Sequence, residues 1–325
     1  MFGMQTILVT GAAGFIGSHV AAALSRAGHR VVGCDQSGLS GTSDLARARI
    51  RALLDPANVR CVALDLADGD SLDHLCTVHR FDTVVHLAAQ VGVRRSRRAP
   101  ADFVQANLVG FAQVLDACRR HRVGRLLYAS QGHAQVGPGA HATGPRSFYA
   151  ATMAANEMMA CAYAHEHGLQ ALALRFHCVY GPWARPDLLP VALAEAIRHG
   201  RPLPLTLEDG SWHDRTYIDD AAAAVVALVE QLTAWAGIDA IELAQSRRVS
   251  TVHLVEALEA ALGRRAVWPD VPLLDSLQLG RWPNDSRLRS LIGDWPDTPL
   301  SVGLAALAGW LDEWSPLPVP LPAAA

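Results

Sequence analysis

The chain has 325 residues, half of them hydrophobic, with a formal net charge of −3 and a sequence pI of about 6.5. That length supports a large core, built as one α/β unit or two coupled lobes. The mild acidity excludes general affinity for nucleic acid or for an anionic membrane surface. Apolar stretches such as Ala221–Val229 are too short to span a bilayer. A strand begins within a few residues of Met1, and no signal peptide is read there. The cysteines at 34, 61, 76, 118, 161 and 178 show neither a CxxC pair nor metal-ligand spacing. They read as reduced thiols of a cytoplasmic protein, and no metal site is expected. There is no lysine, so all 28 basic residues are arginine.

In chain order, residues 5–9 form a short apolar strand, followed by glycines and an apolar-periodic segment from Phe15 to Ala27. Strand patterns recur at 30–34, Val59–Leu64, Thr83–Leu87, Arg125–Ala129 and Gln170–Arg175. Helical patterns lie between them at Leu45–Leu54, Ser71–His79, Asp102–His121 and Ala150–His167. Strands alternating with helices predict βαβ units, hence an α/β fold with a Rossmann-like, doubly wound parallel sheet. After Gly181 proline and glycine become frequent, and the segments Leu188–His199, Asp219–Ala234, Val252–Leu262 and Leu300–Trp314 are helical. The expected organisation is a nucleotide-binding domain over 1–180, a smaller, mainly helical lobe over 181–315 and an extended tail over 316–325. Asp219–Gln245 is expected to pack back on the first domain.

Thr10-Gly11-Ala12-Ala13-Gly14-Phe15-Ile16-Gly17 sits between the first strand and the first helix. Gly11 suits a tight turn, Gly14 a close backbone approach to a pyrophosphate, and Gly17 close helix–strand packing. The backbone at Ala13, Phe15 and Ile16 then faces the phosphates. Asp35, at the end of the second strand, suits the adenosine ribose hydroxyls and repels a 2′-phosphate, which favours NAD over NADP. Asp65-Leu66 suits the adenine edge, and the small residues of Leu87-Ala88-Ala89-Gln90 let a strand end lie against the cofactor.

These blocks, with Asn107 in ANLVGF, SFYAATMAANEMMA at 147–160, RFHCVYGPWARPD at 175–187 and DRTYIDD at 214–220, resemble the extended short-chain dehydrogenases. Within that class they are most similar to the NAD-dependent UDP-glucuronate 4-epimerases. The resemblance implies an NAD-dependent epimerase whose smaller lobe clamps a nucleotide-sugar, UDP-linked, with chemistry through a transient 4-keto sugar. It also implies a homodimer, dimers being common in this class. Asn107, Tyr149, Met153 and His177 then join the cofactor-lining set.

The same resemblance exposes departures. Tyr149 matches the tyrosine that takes the C4 hydroxyl proton, but the lysine expected one turn on is Met153, which has neither charge nor donor. An unassisted tyrosine ionises near pH 10, a deficit of about 4 kcal/mol for making the base at pH 7. The catalytic hydroxyl position falls on Gln131, with Ser130 beside it, and His133 stands near where dehydratases carry a carboxylic acid. Cys178 replaces a threonine, and His213 stands where an arginine would contact the diphosphate, with Arg215 two residues later. His133, His177 and His213 are open to two readings, structural residues or a histidine acid/base system suited to pH 7. The run Arg94, Arg95, Arg97, Arg98 is either a solvated face or, through Arg94, a phosphate or carboxylate fork; Arg185 is a second such candidate. The resulting expectation is an epimerase with a modified proton relay. Its alternative is an impaired homologue that binds NAD or a nucleotide-sugar as a partner or regulatory protein.

Overall fold

The computed structural model describes residues 3–36, 44–132, 145, 147–205, 212–231, 239–270 and 282–314. The chain divides into two compact units. Residues 1–176, 222–243 and 285–295 form the first; 177–221, 244–284 and 296–325 form the second. The change of pattern at Gly181 places the boundary four residues later than the fold does, and nothing in the sequence pattern marks the return of 285–295 to the first unit.

The first unit opens with β1 (Thr6–Thr10), α1 (Phe15–Arg26) and β2 (Arg30–Asp35), followed by α2 (Asp44–Arg49) and β3 (Arg60–Ala63). Next come α3 (Gly69–His79), β4 (Thr83–His86), α4 (Val93–Arg98), α5 (Pro100–Phe103) and α6 (Gly110–Arg120). β5 (Arg125–Gln131), α7 (Phe148–His167) and β6 (Gln170–Phe176) complete the continuous part. Helix α2 runs on into a wide π-type turn at Ile50–Leu54, and a second such turn, Val104–Val109, carries Asn107 into α6.

The second unit takes over with β7 (Val179–Tyr180), α8 (Leu189–Arg198), β8 (Trp212–His213) and β9 (Thr216–Tyr217). Helix α9 (Ile218–Glu230) starts there and continues into the first unit, where β10 (Asp239–Leu243) follows. β11 (Val249–Ser250) and α10 (Thr251–Leu262) belong to the second unit, α11 (Ser286–Ile292) to the first, and α12 (Leu300–Glu313) to the second.

Seven strands form one sheet in the order β10-β6-β5-β4-β1-β2-β3, every pair parallel. The central strands are apolar on both faces because helices cover both. Ile7 and Val9 of β1 point to the face packed by Val20 and Leu24 of α1, Val225 and Leu228 of α9, and Leu288 of α11. Leu8 points to the other face, with Leu72 and Leu75 of α3, Phe111 and Leu115 of α6, and Ala160 of α7. The same alternation separates Leu127 from Leu126 and Tyr128, and Leu172 from Ala171 and Ala173. β10 was not read as a strand from sequence. It is a five-residue edge strand paired with β6, and its Ile241 and Leu243 complete the first face.

In the second unit α8 and α12 both pack on α10. β8 and β11 make a short antiparallel ribbon, and β7 and β9 a parallel pair with Val179 opposite Thr216 and Tyr180 opposite Tyr217. Trp183, Trp310 and Trp314 form an aromatic cluster with ring centroids 5.2–5.6 Å apart.

Candidate active site

The crossover from β1 to α1 makes a tight cradle. Gly11 has φ +70°, and a Cβ there would stand 2.7 Å from the Ala88 backbone nitrogen at the end of β4. At Gly14 a Cβ would approach the Gly11 carbonyl oxygen to 2.9 Å, and at Gly17 it would overlap that same oxygen. The three glycines are therefore demanded by backbone contacts, Gly11 against the chain after β4 and Gly14 and Gly17 within the turn, and Gly14 has this reason besides the room it leaves for a ligand. The first-turn N–H groups of α1, beyond Gly14, have no acceptor within the helix and give the turn an anion-binding end.

Charged residues fix this turn. Asp35 Oδ2 accepts from the Ala13 N–H at 3.0 Å, and Arg49 Nη1 donates to the Ala13 carbonyl at 3.2 Å. Arg49 is buried, and nothing in the sequence reading pointed to it. Gln36 donates to Asp65 Oδ2 at 3.0 Å, which sets the ends of β2 and β3 side by side. Leu66 is buried under Gly110 at the start of α6. The cradle, the acidic end of β2 and the first turn of α1 fit an adenine dinucleotide.

The end of β4 lies against this cradle. The Leu87 N–H donates to the Thr10 carbonyl and the Ala88 N–H to Thr10 Oγ1. Thr10 Oγ1 in turn lies 2.9 Å from His86 Nδ1. His86 is fully enclosed, and desolvation pushes its pKa down to about 4, so the ring is neutral at pH 7. Asn107, fully buried, accepts from the Gln90 N–H at 2.7 Å and donates to the Gln90 carbonyl and to Thr152 Oγ1, each at 3.0 Å. Thr152 donates to the Tyr149 carbonyl at 2.8 Å, and Ser96 Oγ accepts from the Tyr149 N–H at 3.3 Å. Ser147 caps α7 by accepting from Ala150 N–H. The loop after β4 and the first turn of α7 are thus tied into one network around Tyr149.

Tyr149 is half-buried at the start of α7. One turn on, Met153 is 1% exposed and packs with Tyr149, Ala89 and Ala154. The position expected to hold a cation is an apolar wall. Two turns on stands Glu157, absent from the sequence reading. Glu157 accepts from Ser130 Oγ at 2.6 Å and takes both Nε and Nη2 of Arg175, at 2.9 and 2.7 Å. Ser130 and Arg175 are cross-strand neighbours in β5 and β6, so one carboxylate on α7 reaches both. The available signal was positional: 149, 153 and 157 share a helix face. Ser130, expected in the catalytic set, is buried and donates its hydroxyl hydrogen bond to Glu157. Gln131 points to the opposite face of β5, and its Oε1 is buried with no hydrogen-bond partner among the described residues. His133 lies outside the described residues. Arg94 is exposed on α4.

In the second unit, which begins at His177, three left-handed residues fall within six positions: Cys178 (φ +34°), Gly181 (φ +144°) and Trp183 (φ +65°). Such strain in non-glycine residues collects at functional loops. Cys178 Sγ is 3.9 Å from His213 Nδ1. Arg185 places Nε and Nη2 on the two oxygens of Asp187, at 2.9 and 3.1 Å. Asp214 is buried and accepts from the Gln245 and Arg247 N–H groups at 3.0 and 2.9 Å; burial nevertheless pushes its pKa up to about 6. Arg215 is also buried. Among the described residues no group of three or more His, Cys, Asp or Glu is arranged to hold a metal ion.

Comparison with known proteins agrees with the cradle. Residues 7–244 match the family described as NAD dependent epimerase/dehydratase. A probable UDP-glucuronate 4-epimerase of Rhizobium meliloti (strain 1021) is 32% identical over 94% of this chain and 96% of its own length. UDP-glucuronate 4-epimerase 4 of Arabidopsis thaliana is 33% identical over 94% of this chain and 75% of its own. The crystal structure of UDP-glucuronic acid 4-epimerase from Bacillus cereus, in complex with UDP-glucuronic acid and NAD, superposes with a TM-score of 0.84. It covers 95% of this chain and 99% of that one at 28% identity. With its glycine cradle, parallel seven-stranded sheet and matching relatives, the chain belongs to the NAD-dependent epimerase/dehydratase family.

Proposed function

We propose that this protein is an epimerase of a UDP-linked uronic acid or a close UDP-sugar relative, acting at C4 with NAD held in the cradle of the first unit. The observation that carries the reading is the network around Tyr149, which ties its backbone at the first turn of α7 to the loop after β4. When bound, NAD would accept and return the C4 hydride. Gly11, Gly14, Gly17 and the first turn of α1 hold the pyrophosphate. Asp35 and the Asp65-Leu66 edge hold the adenosine half, and Ala88–Gln90 lie along the nicotinamide half. Tyr149 takes the C4 hydroxyl proton, and Gln131 steadies the same hydroxyl by donating from its side-chain amide N–H to the oxygen. Met153 adds no charge, so Tyr149 works without the usual cationic neighbour.

No helix among the described residues is long and apolar enough to cross a membrane, and all six cysteines are free, which supports a cytoplasmic location. Met158 on α7, 68% exposed, and Val104, 38% exposed, give the first unit apolar surface that supports a homodimer. A second reading, a homologue that binds ligand without turnover, is favoured by one observation: the apolar burial of Met153.

Incubation of the purified protein with UDP-glucuronate and NAD, followed by NMR of the sugar, tests both readings. Inversion at C4, lost by at least about 100-fold in Tyr149→Phe, is expected. Binding of NAD or a UDP-sugar with no inversion selects the second reading, and failure to bind either ends both.

A further inference from the structure

Arg215 is 8% exposed, and its Nε and Nη2 have no hydrogen-bond partner among the described residues. These two nitrogens form one edge of the guanidinium, the fork that binds two oxygens at once. In this same chain that edge of Arg175 takes both oxygens of Glu157, and that edge of Arg185 takes both oxygens of Asp187. An arginine cannot shed its charge, and leaving it desolvated without an acceptor is costly.

The acids nearby in sequence are committed elsewhere. Asp214 accepts from the backbone of Gln245 and Arg247 and from Thr216 Oγ1. Asp219 bonds the Tyr217 hydroxyl, and Asp220 bonds Thr298 and Gln245. The β7–β9 register sets Arg215 beside Cys178, which in turn lies 3.9 Å from His213.

We infer that Arg215 is the anion fork of the second unit: its Nε–Nη2 edge grips a paired-oxygen anion of the substrate, with Cys178 and His213 at its side. Resting on the nucleotide-sugar reading above, this assigns to Arg215 either the diphosphate or the sugar carboxylate, whose shared feature is two oxygens about one centre. Arg185 does not compete, because its own fork is closed on Asp187.

The test titrates UDP-glucuronate, UDP-glucose and inorganic pyrophosphate calorimetrically into the wild type, Arg215→Met and Arg215→Lys. Affinity in Arg215→Met is expected to fall about 10- to 100-fold, with Arg215→Lys recovering part of it because an ammonium lacks the fork. A loss shared by all three probes identifies the diphosphate; a loss confined to UDP-glucuronate identifies the carboxylate. If Arg215→Met binds all three as the wild type does, or if the wild type binds none of them, the inference is overturned. A wild type that takes pyrophosphate through Arg215 but neither UDP-sugar keeps the fork and removes the substrate reading. Melting provides the second readout. Arg215→Met should melt no lower than the wild type, since it removes an unpaired buried charge. A marked fall would show that the guanidinium serves the fold and would overturn the inference.

Discussion

At position 153 a methionine lies almost fully buried against Tyr149, Ala89 and Ala154. A lysine there would carry an ammonium into an apolar wall while setting a cation next to the phenol. Met153→Lys is therefore expected to lose about 1–3 kcal/mol of stability in denaturant titration. It is also expected to raise C4 inversion by about tenfold or more. Unchanged turnover in a folded Met153→Lys protein would show that the relay no longer runs through a tyrosine–cation pair. The cradle glycines and Asp35 were legible in sequence because the turn and its neighbouring strand end are close in the chain. The partners of Ser130 were not, because Glu157 and Arg175 lie 27 and 45 residues away and meet it only once β5, α7 and β6 are assembled. Arg49 escaped for the same reason: its carbonyl partner at Ala13 is 36 positions distant.

Helix α7 carries Tyr149, and Glu157 clamps the helix to β5 and β6 through Ser130 and Arg175 at once. The Glu157 and Arg175 side chains are 18% and 17% exposed, so this pair is shielded from solvent far more than a surface ion pair. Glu157→Gln leaves a desolvated guanidinium and is expected to lower unfolding stability by about 3 kcal/mol. The joint replacement of Glu157 and Arg175 by methionine should recover much of that loss. A loss below about 0.5 kcal/mol in Glu157→Gln would reduce the clamp to an ordinary surface contact. Most elements of the first unit followed from periodicity, since buried parallel strands and their amphipathic helices repeat cleanly. The short pairs β7–β9 and β8–β11 did not, because two-residue strands carry no period and are fixed only by tertiary pairing. Five-residue β10 was missed because an isolated short apolar run does not declare its partner.

Two buried titrating groups give the whole molecule opposing acid responses. His86 in the first unit has its pKa pushed down to about 4 from 6.5. The unfolded chain therefore takes up this proton first, and stability falls as pH drops from 6.5 toward 4, by at most about 3 kcal/mol. Asp214 in the second unit has its pKa pushed up to about 6 from 3.8. Its buried charge costs stability above pH 6, and acidification toward 3.8 relieves about 3 kcal/mol. The two effects offset one another in the wild type. In Asp214→Asn the compensation is gone, so unfolding free energy should drop more steeply between pH 6.5 and 4 than in the wild type; parallel profiles would refute this. The division of the chain has a further consequence for the molecule as a whole. The polypeptide passes from one unit to the other at 176–177, 221–222, 243–244, 284–285 and 295–296. A fragment ending at Phe176 would lack Val225, Leu228, Ile241 and Leu288, and with them the part of one covering layer that α1 does not supply. No single scission can release an intact half, so the dinucleotide cradle and the arginine fork are inherited, made and lost together.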